Sequence, residues 1–194
     1  MLEELFDKNS NFEKGKIFIL GIDGLSRSGK TTFVKKLINH LSEIDIPICI
    51  FHIDDYIVEK KRRYNTEYEQ WYEYYHLQWD VEYLKENLFM KLNKSSEINL
   101  YKYNYSTDQQ ELQVVKIPKT CFIIIEGVFI QRGEWRDFFD YIIYLDCSRE
   151  KRFCRESADT QSNIEKFKNR YWKAEDYYEK VVKPKQQANL VIEN

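Results

Sequence analysis

Eight consecutive residues, Gly24-Leu25-Ser26-Arg27-Ser28-Gly29-Lys30-Thr31, restrict the fold of this chain more than any other feature, because they spell G-x-x-x-x-G-K-[ST]. An apolar run from Lys16 to Ile22 precedes them, and Phe33, Leu37 and Leu41 follow at helical spacing. Strand, glycine-rich loop and helix are the setting in which this motif cradles phosphates. In such a loop the backbone N–H groups converge on a β-phosphate, Lys30 sets its charge between β- and γ-phosphates, and the Thr31 hydroxyl holds Mg²⁺. The helix that follows points its N-terminus at the same phosphates. Gly24, Ser26, Arg27, Ser28, Gly29, Lys30, Thr31 and Thr32 are therefore the expected contacts to a nucleoside triphosphate. ATP is the expected nucleotide, although the sequence leaves the choice between ATP and GTP open; no Asn-Lys-x-Asp guanine motif is present, since Asn93-Lys94-Ser95-Ser96 lacks the acid.

A chain of 194 residues fits one domain with a small insertion. Its formal net charge of −2 lacks the basic excess that polynucleotide binding requires, so no nucleic-acid partner is expected. The four cysteines form no C-x-x-C pair, and three of them sit in apolar runs as small hydrophobes, so structural zinc is not expected. Residues Met1 to Lys16 mix acids and bases without a long apolar core, unlike a signal peptide, and no run reaches membrane-spanning length. The expectation is a cytoplasmic protein with no membrane partner, and a homo-oligomer stays open.

Further apolar runs at Ile48 to Ile53, Cys121 to Glu126, Tyr141 to Asp146 and Leu190 to Ile192 alternate with helix-forming stretches, which predicts a doubly wound parallel sheet. The spacing predicts helices over Thr66 to Tyr75 and Asp80 to Leu92, a loop over the charged run Glu59 to Arg63, and a hairpin from Leu100–Tyr105 and Leu112–Ile117. The segment from Arg149 to Lys183 reads as helical, with Pro184 marking an end. The fold class is α/β, a three-layer P-loop fold over residues 1–194, with 59–117 as an acceptor-binding insertion and 149–170 as a lid.

Acids at the carboxyl ends of parallel strands face the ligand crevice. Asp54, Glu126 and Asp146 qualify by position. Glu126 stands where a phosphate-binding domain carries its acidic Mg²⁺ partner, and Asp54 is the expected general base and a further metal contact; alternation along the strand turns Asp55 away. Arg149, Arg152 and Arg155 recur every third residue, so on a helix they share one face that closes over the transferring phosphate. Arg152 is assigned to that phosphate, with Arg149 and Arg155 left open. Lys166, Lys168 and Arg170 read as solvated charge.

With these residues in hand, the chain resembles the uridine kinase-like P-loop kinases, a group that includes uridine-cytidine and nicotinamide riboside kinases and is related to phosphoribulokinase. The likeness rests on Gly21-Ile22-Asp23-Gly24, Asp54-Asp55-Tyr56, Leu77-Gln78-Trp79-Asp80-Val81, Ile125-Glu126-Gly127, and Leu145-Asp146 followed by Arg149 and Arg152. It implies that Asp80 holds ribose hydroxyls, and that Tyr56 and Tyr103 lie at the acceptor. Asp80 is equally a favoured helix N-cap. The sequence departs from the pyrimidine pattern: Tyr101-Lys102-Tyr103-Asn104-Tyr105 lacks the proline and acid of the corresponding hairpin stretch, and Asp108 stands where a histidine is expected. The resemblance implies transfer of the ATP γ-phosphoryl group to a hydroxyl of a small molecule, with the 5′-hydroxyl of a ribonucleoside favoured. Pantothenate or a sugar phosphate as acceptor, and a regulatory NTPase without acceptor, are the alternatives.

Overall fold

The computed structural model of the chain describes residues 16–41 and 46–194, so the segment before Lys16 that was compared with signal peptides lies outside the described residues. Strands β1 (Ile17–Asp23), β2 (Ile48–His52), β5 (Cys121–Gly127), β6 (Tyr141–Asp146) and β7 (Leu190–Glu193) form one parallel sheet in the order β2-β5-β1-β6-β7. The register runs from Ile17 opposite Cys121 to Asp23 opposite Gly127, which brings the loop after β1 and the end of β5 to the same edge. Between β2 and β5, β3 (Glu97–Asn104) and β4 (Gln109–Lys116) make an antiparallel hairpin separate from the main sheet.

Side chains alternate along the strands, so the sheet divides two cores. Leu20, Ile22, Phe122, Ile124 and Leu145 face one side, where Val34, Leu37 and Leu41 of helix α1 (Lys30–Leu41) cover them. Ile19, Phe51, Ile123 and Ile125 face the other, larger core with Trp79, Leu84, Trp135 and Tyr178. β5 is buried along its whole length, and each fully buried isoleucine contributes about 1.5–3 kcal/mol. Among the described residues no helix is long and apolar enough to cross a membrane.

Several expectations for the middle of the chain change. The charged run forms a short helix, α2 (Lys60–Arg63), that turns Arg63 inward instead of a solvated loop. The next helix, α3 (Gln70–His76), starts four residues later than its periodicity suggests: Asn65 has a left-handed backbone, and the Thr66 N–H donates to the Glu73 side chain rather than into a helical turn. The run from Asp80 divides into α4 (Val81–Asn87) and a 3₁₀ turn, Phe89–Lys91, which lets Phe89 stack on Trp135. Downstream lie α5 (Arg149–Cys154), α6 (Ala158–Ser162) and α7 (Ile164–Lys166); a π-helical turn over Phe167–Trp172 then joins α7 to α8 (Lys173–Val181). Arg170 is 1% exposed, not solvated, because it lies in phase with Phe167, Ala174 and Tyr178 on the buried stripe.

Candidate active site

The loop after β1 has its shape from two glycines. Gly24 and Gly29 take φ of +149° and +98°, and a Cβ on Gly24 would stand 2.8 Å from the Leu145 carbonyl oxygen. The Phe33 N–H donates to Gly29 at 2.9 Å, so α1 rises directly out of the loop. The Lys30 ammonium turns back to donate to the carbonyls of Gly24 at 2.8 Å and Leu25 at 3.1 Å. Burial lowers its pKa, and the charges of Asp54, Glu126 and Asp23 oppose that loss.

At the ends of β2 and β5 the acidic groups gather. Thr31 Oγ1 donates to Glu126 Oε1 at 3.0 Å, and His52 Nδ1 lies 2.6 Å from the same oxygen. Burial works against the Glu126 charge, but the His52 hydrogen bond, the Lys30 charge and the Thr31 hydroxyl together hold its pKa below the usual range. Asp54 sits in a 3₁₀ turn, Ile53–Tyr56, rather than on the strand, so side-chain alternation is not what separates it from Asp55. Position in the turn separates them: Asp54 opens into the cleft, whereas Asp55 pairs with Lys102 at 2.9 Å. Trp79 Nε1 donates to the Ile53 carbonyl at 2.9 Å, and the Tyr105 hydroxyl to that of Asp54 at 3.0 Å, which pins the turn from both sides. The Asp54 carboxyl has solvent-accessible surface in the cleft while protein crowds it, and this desolvation raises its pKa, with Lys30 the strongest opposing charge.

A hydroxyl and two carboxylates facing the β1 loop are the hard oxygen donors that suit Mg²⁺. Among the described residues no three His, Cys, Asp or Glu side chains form a self-contained metal site.

One cleft of about 1280 Å³ joins this edge to the insertion. Lys30, Thr31 and Asp54 line one end; Arg63, Tyr103 and Gln78 line the other, under a wall from α5 to α8 that contributes Lys166 and Tyr171. The volume exceeds the roughly 300–1,000 Å³ of a usual single-ligand pocket.

The profile of the Phosphoribulokinase / Uridine kinase family matches residues 19–194. This chain belongs to that family. A uridine kinase of Borrelia duttonii (strain Ly) is 29% identical over 186 residues, covering 90% of this chain and 85% of the relative. One from Staphylococcus epidermidis is 24% identical over 184 residues, covering 90% and 86%. A solved structure described as a possible uridine kinase from Bacillus stearothermophilus is 44% identical, with a TM-score of 0.85 over 98% of this chain and 95% of that one. Family and fold make the chain a P-loop phosphotransferase.

Against this family frame, the expected site residues divide. Ser26, Arg27, Gly29, Lys30, Thr31, Thr32, Asp54 and Glu126 line the cleft together. Gly24 shapes the loop from behind, and the buried Ser28 hydroxyl faces Gly24, so neither is part of the lining. Arg149, Arg152 and Arg155 do share a face, but none is uncommitted. Arg152 is 5% exposed and bound to both carboxylate oxygens of Glu175, at 2.7 and 2.9 Å, while it also donates to the Ser26 carbonyl at 3.1 Å. Arg149 pairs with Asp176, and Arg155 donates to the Arg27 carbonyl at 2.9 Å. The helix thus braces the crest of the phosphate loop. Asp80 is not part of the cleft lining; it caps α4 by accepting from the Tyr83 N–H at 3.2 Å and pairs with Arg62 at 3.0 Å. Tyr56 is buried against Phe51, outside the lining, because the 3₁₀ turn rotates it into the core. Tyr103 does line the cleft, with its hydroxyl donating to Asp108 at 2.6 Å.

Sequence reasoning passed over three groups. Asp23 is fully buried and accepts from Tyr178 and Gln131, each at 2.7 Å, which ties the foot of the loop to α8. His52 orients Glu126. The pair Arg170–Glu73, at 2.7 Å, joins the π-helical turn to α3 across 97 residues. Only the Arg170 phase on its apolar stripe offered a sequence signal.

Proposed function

We propose that this protein transfers the γ-phosphoryl group of ATP to a hydroxyl of a small molecule. The carrying observation is Asp54: a carboxylate held by a pinned turn, open to the cleft beyond the phosphate loop and coupled most strongly to the charge of Lys30. Asp54 accepts the proton of the attacking hydroxyl, the role for which its place in the cleft suits it. Lys30 exchanges the carbonyls of Gly24 and Leu25 for phosphate oxygens, and the loop amides orient the same phosphates. Thr31, Glu126 and Asp54 would hold Mg²⁺, whose chemistry is to neutralise charge on the β- and γ-phosphate oxygens. Residues 59–117 form the acceptor side, and residues 149–170 cover the phosphates, with Arg152 acting through the loop backbone.

The names of the relatives support a ribonucleoside as the acceptor to be tried first. The test is ADP formation from MgATP across ribonucleosides, riboside vitamins, pantothenate and phosphosugars, with Lys30→Ala as the inactive control. Acceptor-dependent ADP formation is expected. Phosphate release at one rate with or without any acceptor would replace this reading by a nucleotide-hydrolysing switch.

A further inference from the structure

Four arginines are buried among the described residues: Arg63, Arg132, Arg152 and Arg170. Three have a carboxylate: Arg152 has Glu175, Arg170 has Glu73, and Arg132 has Glu134 at 3.8 Å. Arg63, only 5% exposed, has none within ion-pair distance among the described residues. Its Nε donates to the Val58 carbonyl at 2.7 Å and its Nη2 to the Tyr103 hydroxyl at 3.2 Å, and its guanidinium lies over the rings of Tyr64 and Tyr103. The nearest acid, Asp108, is one hydroxyl removed, beyond Tyr103. A buried charge without a counter-ion costs several kcal/mol unless a partner arrives.

The surroundings of Arg63 make the excess larger. Lys60, Lys61 and Lys166 line the same end of the cleft, and no ammonium among them has a carboxylate partner among the described residues. Lys166, partly exposed, sits over Tyr64 and Tyr171 at 5.9 and 5.6 Å. The carboxylate expected to hold a ribose diol, Asp80, is engaged elsewhere with Arg62. Asp54 and Arg63 line the same cleft, with Tyr105 and Tyr103, whose rings are 4.9 Å apart, between them.

We propose that the acceptor carries an oxyanion, a phosphate monoester or a carboxylate, held by Arg63 and Lys166 with Lys60 and Lys61 at the entrance while its hydroxyl lies at Asp54. The proposal rests on the kinase reading above, and within it sets an anionic acceptor in place of the neutral ribonucleoside that the relatives' names suggest. Gln78, a buried residue of the lining whose side-chain oxygen has no protein partner, is the neutral contact to the body of the molecule.

The test compares matched acceptors: ribose with ribose 5-phosphate, fructose with fructose 6-phosphate, and glycerol with glycerate. The anionic member is expected to be favoured by about 10- to 100-fold in kcat/KM, the range of one charge-assisted hydrogen bond. The phosphate and carboxylate arms tell which anion the site takes. Lys166→Gln and Arg63→Gln should each erode the preference through KM, and the half-exposed Lys166 decides should the Arg63 variant fail to fold. In parallel, inorganic phosphate is titrated by calorimetry into protein saturated with Mg²⁺ and a non-hydrolysable ATP analogue. One phosphate site, weakened in both variants, supports the proposal even where no panel acceptor turns over. Equal or better use of neutral acceptors, or no phosphate binding to the nucleotide-loaded protein, overturns it. Neutral turnover overturns the proposal and leaves the kinase reading standing, whereas acceptor-independent ADP formation strikes that reading and the acceptor with it, whatever the phosphate titration shows.

Discussion

The two ends of the cleft are built in opposite ways. At the nucleotide end, nine consecutive residues from Gly24 to Thr32 supply loop, cation and hydroxyl, and strand register delivers Glu126 opposite Ile22. At the acceptor end, Arg63, Gln78, Tyr103 and Lys166 come from four separate segments, held together by long-range bonds such as Arg170 to Glu73 and to the Arg63 carbonyl. The first end is a local motif that backbone geometry enforces. The second exists only once the chain has closed on itself, so substitution of the bonds that hold it together, such as Arg170 to Glu73, should register as lost folding while substitutions at the first register as lost chemistry.

The sharpest test of that contrast is Asp54→Asn, which should lower kcat by about two to four orders of magnitude with nucleotide affinity and thermal stability nearly unchanged. Asp55→Asn, at the surface beside Lys102, should do little; steady-state rates of the two variants settle which neighbour is the base. At the other end, Glu73→Gln leaves the Arg170 charge buried and short of its partner, and urea denaturation should show a loss of about 3–5 kcal/mol. A smaller loss in the double variant Glu73→Gln/Arg170→Met would show that the uncompensated charge is what hurts. If Glu73→Gln instead slowed turnover without destabilising, the division between the ends would collapse.

How far each end was legible in the sequence follows from the same difference. The phosphate loop, the parallel strands and the positions of Asp54 and Glu126 were readable because each depends on neighbours a few residues away. Arg152 was read as a free lid cation; its partner Glu175 lies 23 residues on, and nothing local announces a bidentate pair. Asp80 and Tyr56 were given acceptor roles by resemblance, yet a helix cap and a 3₁₀ turn, both local devices, decide their orientation here. Arg63 looked like part of a solvated run because its burial depends on Tyr64, Tyr103 and Val58 arriving from outside α2.

Two milder predictions refine the comparison. Asp80→Ala should cost about 0.5–2 kcal/mol in thermal or urea unfolding, since it removes the cap of α4, and should leave the choice among acceptors as it was. A changed ratio of ribo- to deoxyribonucleoside use would return Asp80 to the acceptor site. The mildest effect is one of slope. Burial raises the folded-state pKa of Asp23 above its usual 3.8, so its contribution to stability is greatest below that value and declines as pH rises through the folded pKa. Asp23→Asn, which keeps an acceptor for Tyr178 and Gln131, should flatten that part of the profile of melting temperature against pH. An unchanged slope would mean that Tyr178, Gln131 and Lys30 already carry the ionised carboxylate at no cost.

The single cleft has a consequence for the order of events during turnover. Donor and acceptor ends share one continuous space lined by Lys30 at one side and Arg63 at the other, so both reactants fit at once, and the phosphoryl group has no need to rest on a side chain in between. Turnover then passes through a ternary complex, in which initial-rate plots at several fixed acceptor concentrations intersect, where a ping-pong enzyme would give parallel lines. On the proposed reading, ADP on the loop and a waiting acceptor then share the cleft in a dead-end complex, and initial rates with added ADP should fall further as acceptor rises.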